Sequence, residues 1–145
     1  MGLNTAFLER IAQGCLMWPV MVRVVPTGGS FSGEIDFRDG HWQIALCEGL
    51  GSEERGGLAF ILYHECGHAA LGHVSRVDTG RGPGMTPDEY RQKRPGEEGE
   101  RVACFMQEQE DEANDYARRN VEAYERLNGY GTFEWCATRN EDADD

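Results

Sequence analysis

The stretch that most restricts the fold is an apolar run followed at once by HECGHAALGH, residues 64–73. The run before it, LAFILY, is typical of a helix that packs inside a protein, yet three histidines and one glutamate follow within ten residues. An unpaired polar group in such a place costs about 1–3 kcal/mol. We therefore expect a buried helix whose polar side chains share a partner.

His64, Glu65 and His68 form an HExxH motif within this helix. Histidines four residues apart lie on one face, one turn from each other, so that two rings can bind the same Zn²⁺. Zinc in such a site lowers the pKa of water toward about 7, and the glutamate accepts the proton. We predict His64 and His68 as metal ligands and Glu65 as the catalytic base. The alternative is an ordinary helix whose histidines are satisfied by protein groups.

A catalytic zinc site needs a third protein ligand and one open position. His73 is the nearest candidate in the sequence, but a helix turns by about 100° per residue. On a helix that includes all three histidines, the His73 ring points away from His64 and His68. We therefore predict that His73 caps the end of the helix.

The long helical segment 97–127 offers a better third ligand. Placed on the same wheel, its apolar residues form one stripe, and Glu110 falls inside that stripe. A buried carboxylate needs a cation, so we predict Glu110 as the third zinc ligand, with a buried arginine as the alternative partner. Asn114, one turn later, is either a hydrogen-bond partner that orients a ligating histidine or a surface residue. The acids that face water instead are Glu108, Asp111, Glu112 and Asp115.

The first third of the chain predicts one helix and three strands. Residues 4–17 have helical spacing with Asn4 or Thr5 as the cap, and Trp18-Pro19 ends the helix. Residues 20–25, 30–37 and 41–46 have the composition of strands, with a turn at 26–29. The last two are joined through Asp39-Gly40, a strong hairpin signal. We expect a small antiparallel sheet of about three strands.

The rest of the chain is mainly helical. We predict a helix at 53–74 with Ser52 as its cap, a polar surface excursion at 78–99, the helix 97–127, and a frayed acidic tail at 138–145. Within the excursion, Thr86-Pro87-Asp88-Glu89 predicts a short capped helix. The expected fold is one α+β domain over residues 1–145, with the sheet packed on the N-terminal helix, the HExxH helix and the long C-terminal helix.

Composition excludes several classes of partner. The net charge of −12 and the pI near 4.7 oppose binding to a phosphate backbone, so we expect no direct nucleic-acid partner. No stretch approaches the roughly 20 apolar residues that cross a bilayer, and no secretory leader is recognisable. The five cysteines are widely spaced and form no CxxC pair. We expect reduced thiols and a cytoplasmic location.

Two segments resemble the ImmA/IrrE-type zinc metallopeptidases. HWQIALCEGLGSEERGGLAFILYHECGHAALGH is similar to the strand, loop and active-site helix of that family, and EDEANDYA is similar to its downstream Glu-x-x-Ala-Asn helix. The resemblance covers about 42–117. It implies a zincin-like fold and a gluzincin-like site, in which His64, His68 and Glu110 hold zinc and Glu65 is the general base. It also implies a protein substrate, for family members cleave a repressor of a mobile element or stress regulon.

The expected function is therefore that of a zinc-dependent endopeptidase acting on a protein or peptide, with a repressor as the substrate that the resemblance implies. We expect the peptide to lie extended along the strand 41–46. The group that stabilises the oxyanion is left open among His41, Tyr116, Tyr124 and Tyr130. The alternative, from another class, is a zinc-stabilised peptide-binding or regulatory module that does not cut.

Overall fold

The computed structural model describes residues 3–25, 33–47, 57–73 and 86–138. The elements are α1 (Thr5–Leu16), β1 (Val20–Val25), β2 (Gly33–Arg38), β3 (His41–Cys47), α2 (Gly57–Ala70), α3 (Pro87–Lys93), α4 (Glu97–Asn128) and α5 (Thr132–Thr138). The predicted α+β class is confirmed. The predicted turn at 26–29, the Ser52 cap, the first part of the surface excursion and nearly all of the acidic tail lie outside the described residues.

The three strands form one mixed sheet in the order β1-β3-β2. β2 and β3 are antiparallel, with Ile35 opposite Ile44, but β1 runs parallel to β3, with Val22 opposite Ile44. The prediction of an antiparallel sheet is therefore wrong. Alternating burial shows which face of a strand packs on the core, but it specifies neither the neighbour nor the direction of that strand.

The central position of β3 also corrects the expected peptide site. Both edges of β3 bond to neighbouring strands, so the predicted docking edge at 41–46 is already occupied. The outer strands of the sheet are β1 and β2. β2 lies beside α2, since a Cβ on Gly33 would come within 3.1 Å of the Ile61 side chain.

Local signals in the first helix and the hairpin are confirmed. The Asn4 side chain accepts a hydrogen bond from the Phe7 amide and caps α1, which ends at Met17 in the left-handed conformation. Asp39 and Gly40 both have positive φ, as a two-residue hairpin turn between β2 and β3 requires.

α2 lies at the centre of the fold and ends earlier than predicted. Its largest fully buried side chains are Leu58, Leu62 and Cys66. The helix stops at Ala70 rather than 74, because Gly72 adopts a φ of +82°. The Gly72 amide then donates to the Ala69 carbonyl and the His73 amide to the His68 carbonyl, the pattern of a Schellman turn.

The C-terminal half contains three helices: α4 and α5 pack against α2, α5 also touches α1, and α3 packs on α4. The predicted capping box at Thr86 is present and begins α3, and α4 spans the predicted long helix and ends before Gly129. α5 was not predicted. Its Phe133 is buried with its ring against those of Phe7, Tyr63 and Tyr124. No helix within the described ranges combines the length and apolar character needed to cross a bilayer.

Candidate metal centre

α2 places two histidines on the side that faces α4. Apolar residues on its remaining surface pack into the core, and this packing fixes the rotation of the helix. The side chains of His64 and His68 are each 14% exposed. Their Nε2 atoms lie 3.1 Å apart, and the Phe60 ring stacks on the His64 ring. The i and i+4 spacing therefore brings both rings to one point, as predicted.

α4 brings the predicted carboxylate to the same point. Glu110 Oε1 lies 3.2 Å from His64 Nε2, and its Oε2 lies 3.1 Å from His68 Nε2. Hydrogen bonds from His64 and then from His68 hold the pKa of Glu110 far below its usual range, although burial acts in the opposite direction. Burial lowers the pKa of His64, but the bond to Glu110 and the charges of Glu65 and Glu110 outweigh it and leave that pKa raised. Among the described residues, the ion-pair partners of Glu110 are these two histidines, and no arginine is among them.

The three donor atoms have the spacing of a zinc site. Zinc bonds of about 2.0–2.1 Å in a tetrahedron place neighbouring donor atoms about 3.3 Å apart. One ligand atom from each of His64, His68 and Glu110 lies within 4.8 Å of the others, and the closest pairs are at 3.1–3.2 Å. This group could therefore hold a metal ion.

The protein groups alone do not satisfy this arrangement. For both histidines to donate to Glu110, each must carry a proton on Nε2, and the two N–H groups then face each other 3.1 Å apart. Two donors cannot bond to each other. A cation bound to both nitrogens replaces both protons and removes this conflict. The donor set thus fits a divalent metal better than an ion pair.

Gly67 sets the distance between α2 and α4. A Cβ at this position would lie 3.0–3.1 Å from three atoms of Tyr116: Cβ, Cγ and Cδ1. The helices approach closely here because glycine has no side chain. Glu110 lies on the same helix as Tyr116, so the close approach at Gly67 also brings Glu110 toward the histidines.

Glu65 is the one buried charged residue described, at 6% exposure. Burial raises its pKa, the charge of His64 lowers it, and the charges of Glu110 and Glu34 raise it further, to about 7. A carboxyl with a pKa near neutrality, next to a metal site, suits a general base. Glu65 is thus buried near the charges of His64 and Glu110, and its role as a base stays a prediction.

The buried Glu65 predicts how the stability of the metal-free protein depends on pH. The pKa of Glu65 is about 7 in the folded protein and about 4.5 for an ordinary glutamate in the unfolded chain, so the unfolded state binds fewer protons between these pH values. Stability contributed by this group is present below about pH 4.5 and is lost as pH rises to about 7. Chemical denaturation of metal-free Glu65→Gln should show a gain of roughly 3 kcal/mol over wild type at pH 8.

At pH 4.5 and below, the two metal-free proteins should differ little, since glutamine resembles a protonated glutamate. A gain that stays the same from pH 4.5 to pH 8 would contradict the burial argument for Glu65.

Asn114 acts on the pKa of His64 and raises it, so it lies near that ring. His64 Nδ1 is nevertheless buried and has no hydrogen-bond partner among the described atoms. Asn114 is half-buried on α4, one turn after Glu110. The structure therefore places Asn114 beside a predicted ligand, and its role in orienting His64 stays a prediction.

His73 is the residue of the site that sequence reasoning placed wrongly. Its backbone closes the helix end as expected, but its ring folds back, with Nδ1 3.0 Å from His68 Nδ1. Its Nε2 lies 2.7 Å from Oε1 of Glu112. The helical wheel fails at this position because α2 has ended and Gly72 reverses the chain. The glycine one residue before His73 was the signal for this turn.

The four oxyanion candidates occupy different surroundings. The His41 ring lies beside the hairpin and close to Gln43, and the Tyr116 ring packs on Gly67. Tyr124 packs edge-on to Phe133, and Tyr130 is 91% exposed in the turn before α5. Among the described contacts, none of these four joins the metal-binding group, so the choice stays open.

No family model, no curated protein and no solved structure matches this chain.

Proposed function

We propose that this protein is a zinc-dependent endopeptidase of the ImmA/IrrE type that its sequence resembles. The observation that carries the proposal is the convergence of His64, His68 and Glu110, whose closest pairs of donor atoms lie 3.1–3.2 Å apart. Two histidines and a carboxylate leave one tetrahedral position open, as catalytic rather than structural zinc sites do.

The residues of this chain divide the chemistry between them. Zinc, when bound, supplies Lewis-acid polarisation of the scissile carbonyl and of water. Glu65 accepts the proton from the attacking water and holds it, which its pKa of about 7 makes possible near neutral pH. The same carboxyl then donates that proton to the leaving amine. His64, His68 and Glu110 would hold the metal ion.

The substrate in this proposal is an extended peptide on the outer edge of β2. β2 is an outer strand, and its Gly33 lies against Ile61 of α2. The charge of Glu34, the next residue, raises the pKa of Glu65, and such an effect requires this strand to lie close to the Glu65 carboxyl. A peptide that adds to β2 by main-chain hydrogen bonds would pass along α2. This edge replaces β3 as the expected docking strand.

The test combines metal content with proteolysis. We expect the purified protein to bind close to one zinc per chain and to cleave a peptide or partner protein, found by mass-spectrometric screening of fragments. Glu65→Gln should retain the zinc and lose activity by about 100-fold to 10,000-fold, since it removes only the proton acceptor. Glu108→Gln is the matched control, as Glu108 is an exposed acid on α4.

The alternative function is a zinc-stabilised peptide-binding or regulatory module. It predicts the same zinc content but no difference in cleavage between wild type and Glu65→Gln. The buried carboxyl favours the enzyme, because a module that only binds has no use for a base in this place. Repressor cleavage, absence of a nucleic-acid partner and cytoplasmic location stay predictions from the sequence.

A further inference from the structure

We propose that His73 and Glu112 are positioning residues that fix the ring of His68 for metal binding. The proposal rests on the metal centre proposed above and deepens it. It concerns a row of side chains that runs from the centre to the surface: His68, His73 and Glu112. Neither His73 nor Glu112 is part of the metal-binding group, and only the ring of His73 lies in a different place from the one that the sequence predicted.

The row is continuous and partly buried. His68 Nδ1 lies 3.0 Å from His73 Nδ1, and His73 Nε2 lies 2.7 Å from Glu112 Oε1. The His73 side chain is only 7% exposed, whereas the Glu112 side chain is 62% exposed. His73 lies in the Schellman turn at Gly72 that ends α2, and Glu112 lies on α4. The His73 ring thus connects the His68 ring of α2 to a carboxylate of α4.

If a metal binds to His68, the donor and the acceptor of each hydrogen bond in this row are determined. If Nε2 of His68 binds a metal, a neutral ring carries its proton on Nδ1 and donates it to His73 Nδ1. His73 must then hold its own proton on Nε2, which it donates to Glu112. Each histidine has one donor and one acceptor, and the row ends on a carboxylate that only accepts. No atom in the row is left with the wrong partner.

The two predicted ligand histidines differ in this respect. His64 Nδ1 is buried without a described hydrogen-bond partner, whereas His68 Nδ1 has one. Outer hydrogen bonds of this kind orient a ligating ring and raise its basicity, and their loss typically lowers metal affinity about 10-fold to 100-fold. The contact with His73 therefore holds the His68 ring in its orientation before a metal binds.

The experiment measures metal affinity by competition with a chelator, using Zn²⁺, and records the visible spectrum of the Co²⁺-loaded protein. We expect His73→Leu and Glu112→Ala each to weaken zinc binding about 10-fold to 100-fold and to change the Co²⁺ spectrum. Glu112→Gln keeps an oxygen acceptor and should restore most of the affinity lost in Glu112→Ala. Glu108→Gln, one turn away on α4, should bind zinc like wild type.

Because Glu112 is exposed, Glu112→Ala should fold like wild type. This variant therefore tests the row even if His73→Leu folds poorly. Equal zinc affinity and equal Co²⁺ spectra in wild type and Glu112→Ala would overturn the proposal. Equal losses in Glu112→Gln and Glu112→Ala would also overturn it, because charge alone would then explain the effect. If wild type itself binds no zinc, the metal centre fails and this inference fails with it. If zinc binds but no peptide is cut, only the enzyme proposal fails.

Discussion

Glu110→Gln should lower zinc affinity on the order of 1000-fold, the largest effect on metal binding expected of the changes described for this protein. A zinc site bound by a few protein ligands has a binding free energy of about 10 kcal/mol or more, so each ligand contributes several kcal/mol. Glutamine keeps the size of the side chain and removes its charge. Both carboxylate oxygens of Glu110 meet a histidine Nε2, so no other described acid replaces it.

Chelator competition measures this affinity. Glu108→Gln is the control, because it removes one negative charge from an exposed position on the same helix, α4. Adding zinc should raise the melting temperature of wild type and of the control but leave Glu110→Gln almost unchanged. If zinc stabilises Glu110→Gln as much as wild type, the carboxylate is not a ligand and the metal-centre proposal is wrong.

Gly67→Ala should both destabilise the fold and weaken metal binding, although Gly67 carries no side chain. The new methyl group would lie 3.0–3.1 Å from Tyr116, and one of the atoms it meets is the Tyr116 Cβ, which moves only with the α4 backbone. Overpacking of this kind costs about 1–3 kcal/mol. Movement of α4 away from α2 carries Glu110 away from the histidines, so we expect zinc affinity to fall about 10-fold or more.

Gly14→Ala is the matched control, because it adds the same methyl group to a helix where nothing lies within 4 Å. That change should leave zinc affinity unaltered and stabilise the protein by up to about 1 kcal/mol through helix propensity. Unfolding by denaturant and chelator competition measure the two effects. A Gly67→Ala protein with the stability and affinity of wild type would show that the helices do not depend on this close approach.

The sequence by itself determined most of the helices and strands and the three residues that converge. The N-cap at Asn4, the hairpin at Asp39-Gly40 and the capping box at Thr86 are local interactions, so short stretches of sequence specify them. The meeting of His64, His68 and Glu110 was also predictable, because helical periodicity sets which side chains share the buried face.

Tertiary structure alone decided the direction of β1, the existence of α5, and the contact of His73 with His68. Each depends on what lies opposite a residue in space, and burial patterns along the chain carry no such information. His73 shows the reason most clearly: its position depends on where α2 ends, and its partner Glu112 lies 39 residues further along the chain. Periodicity identifies a face of a helix, but only packing determines what that face meets.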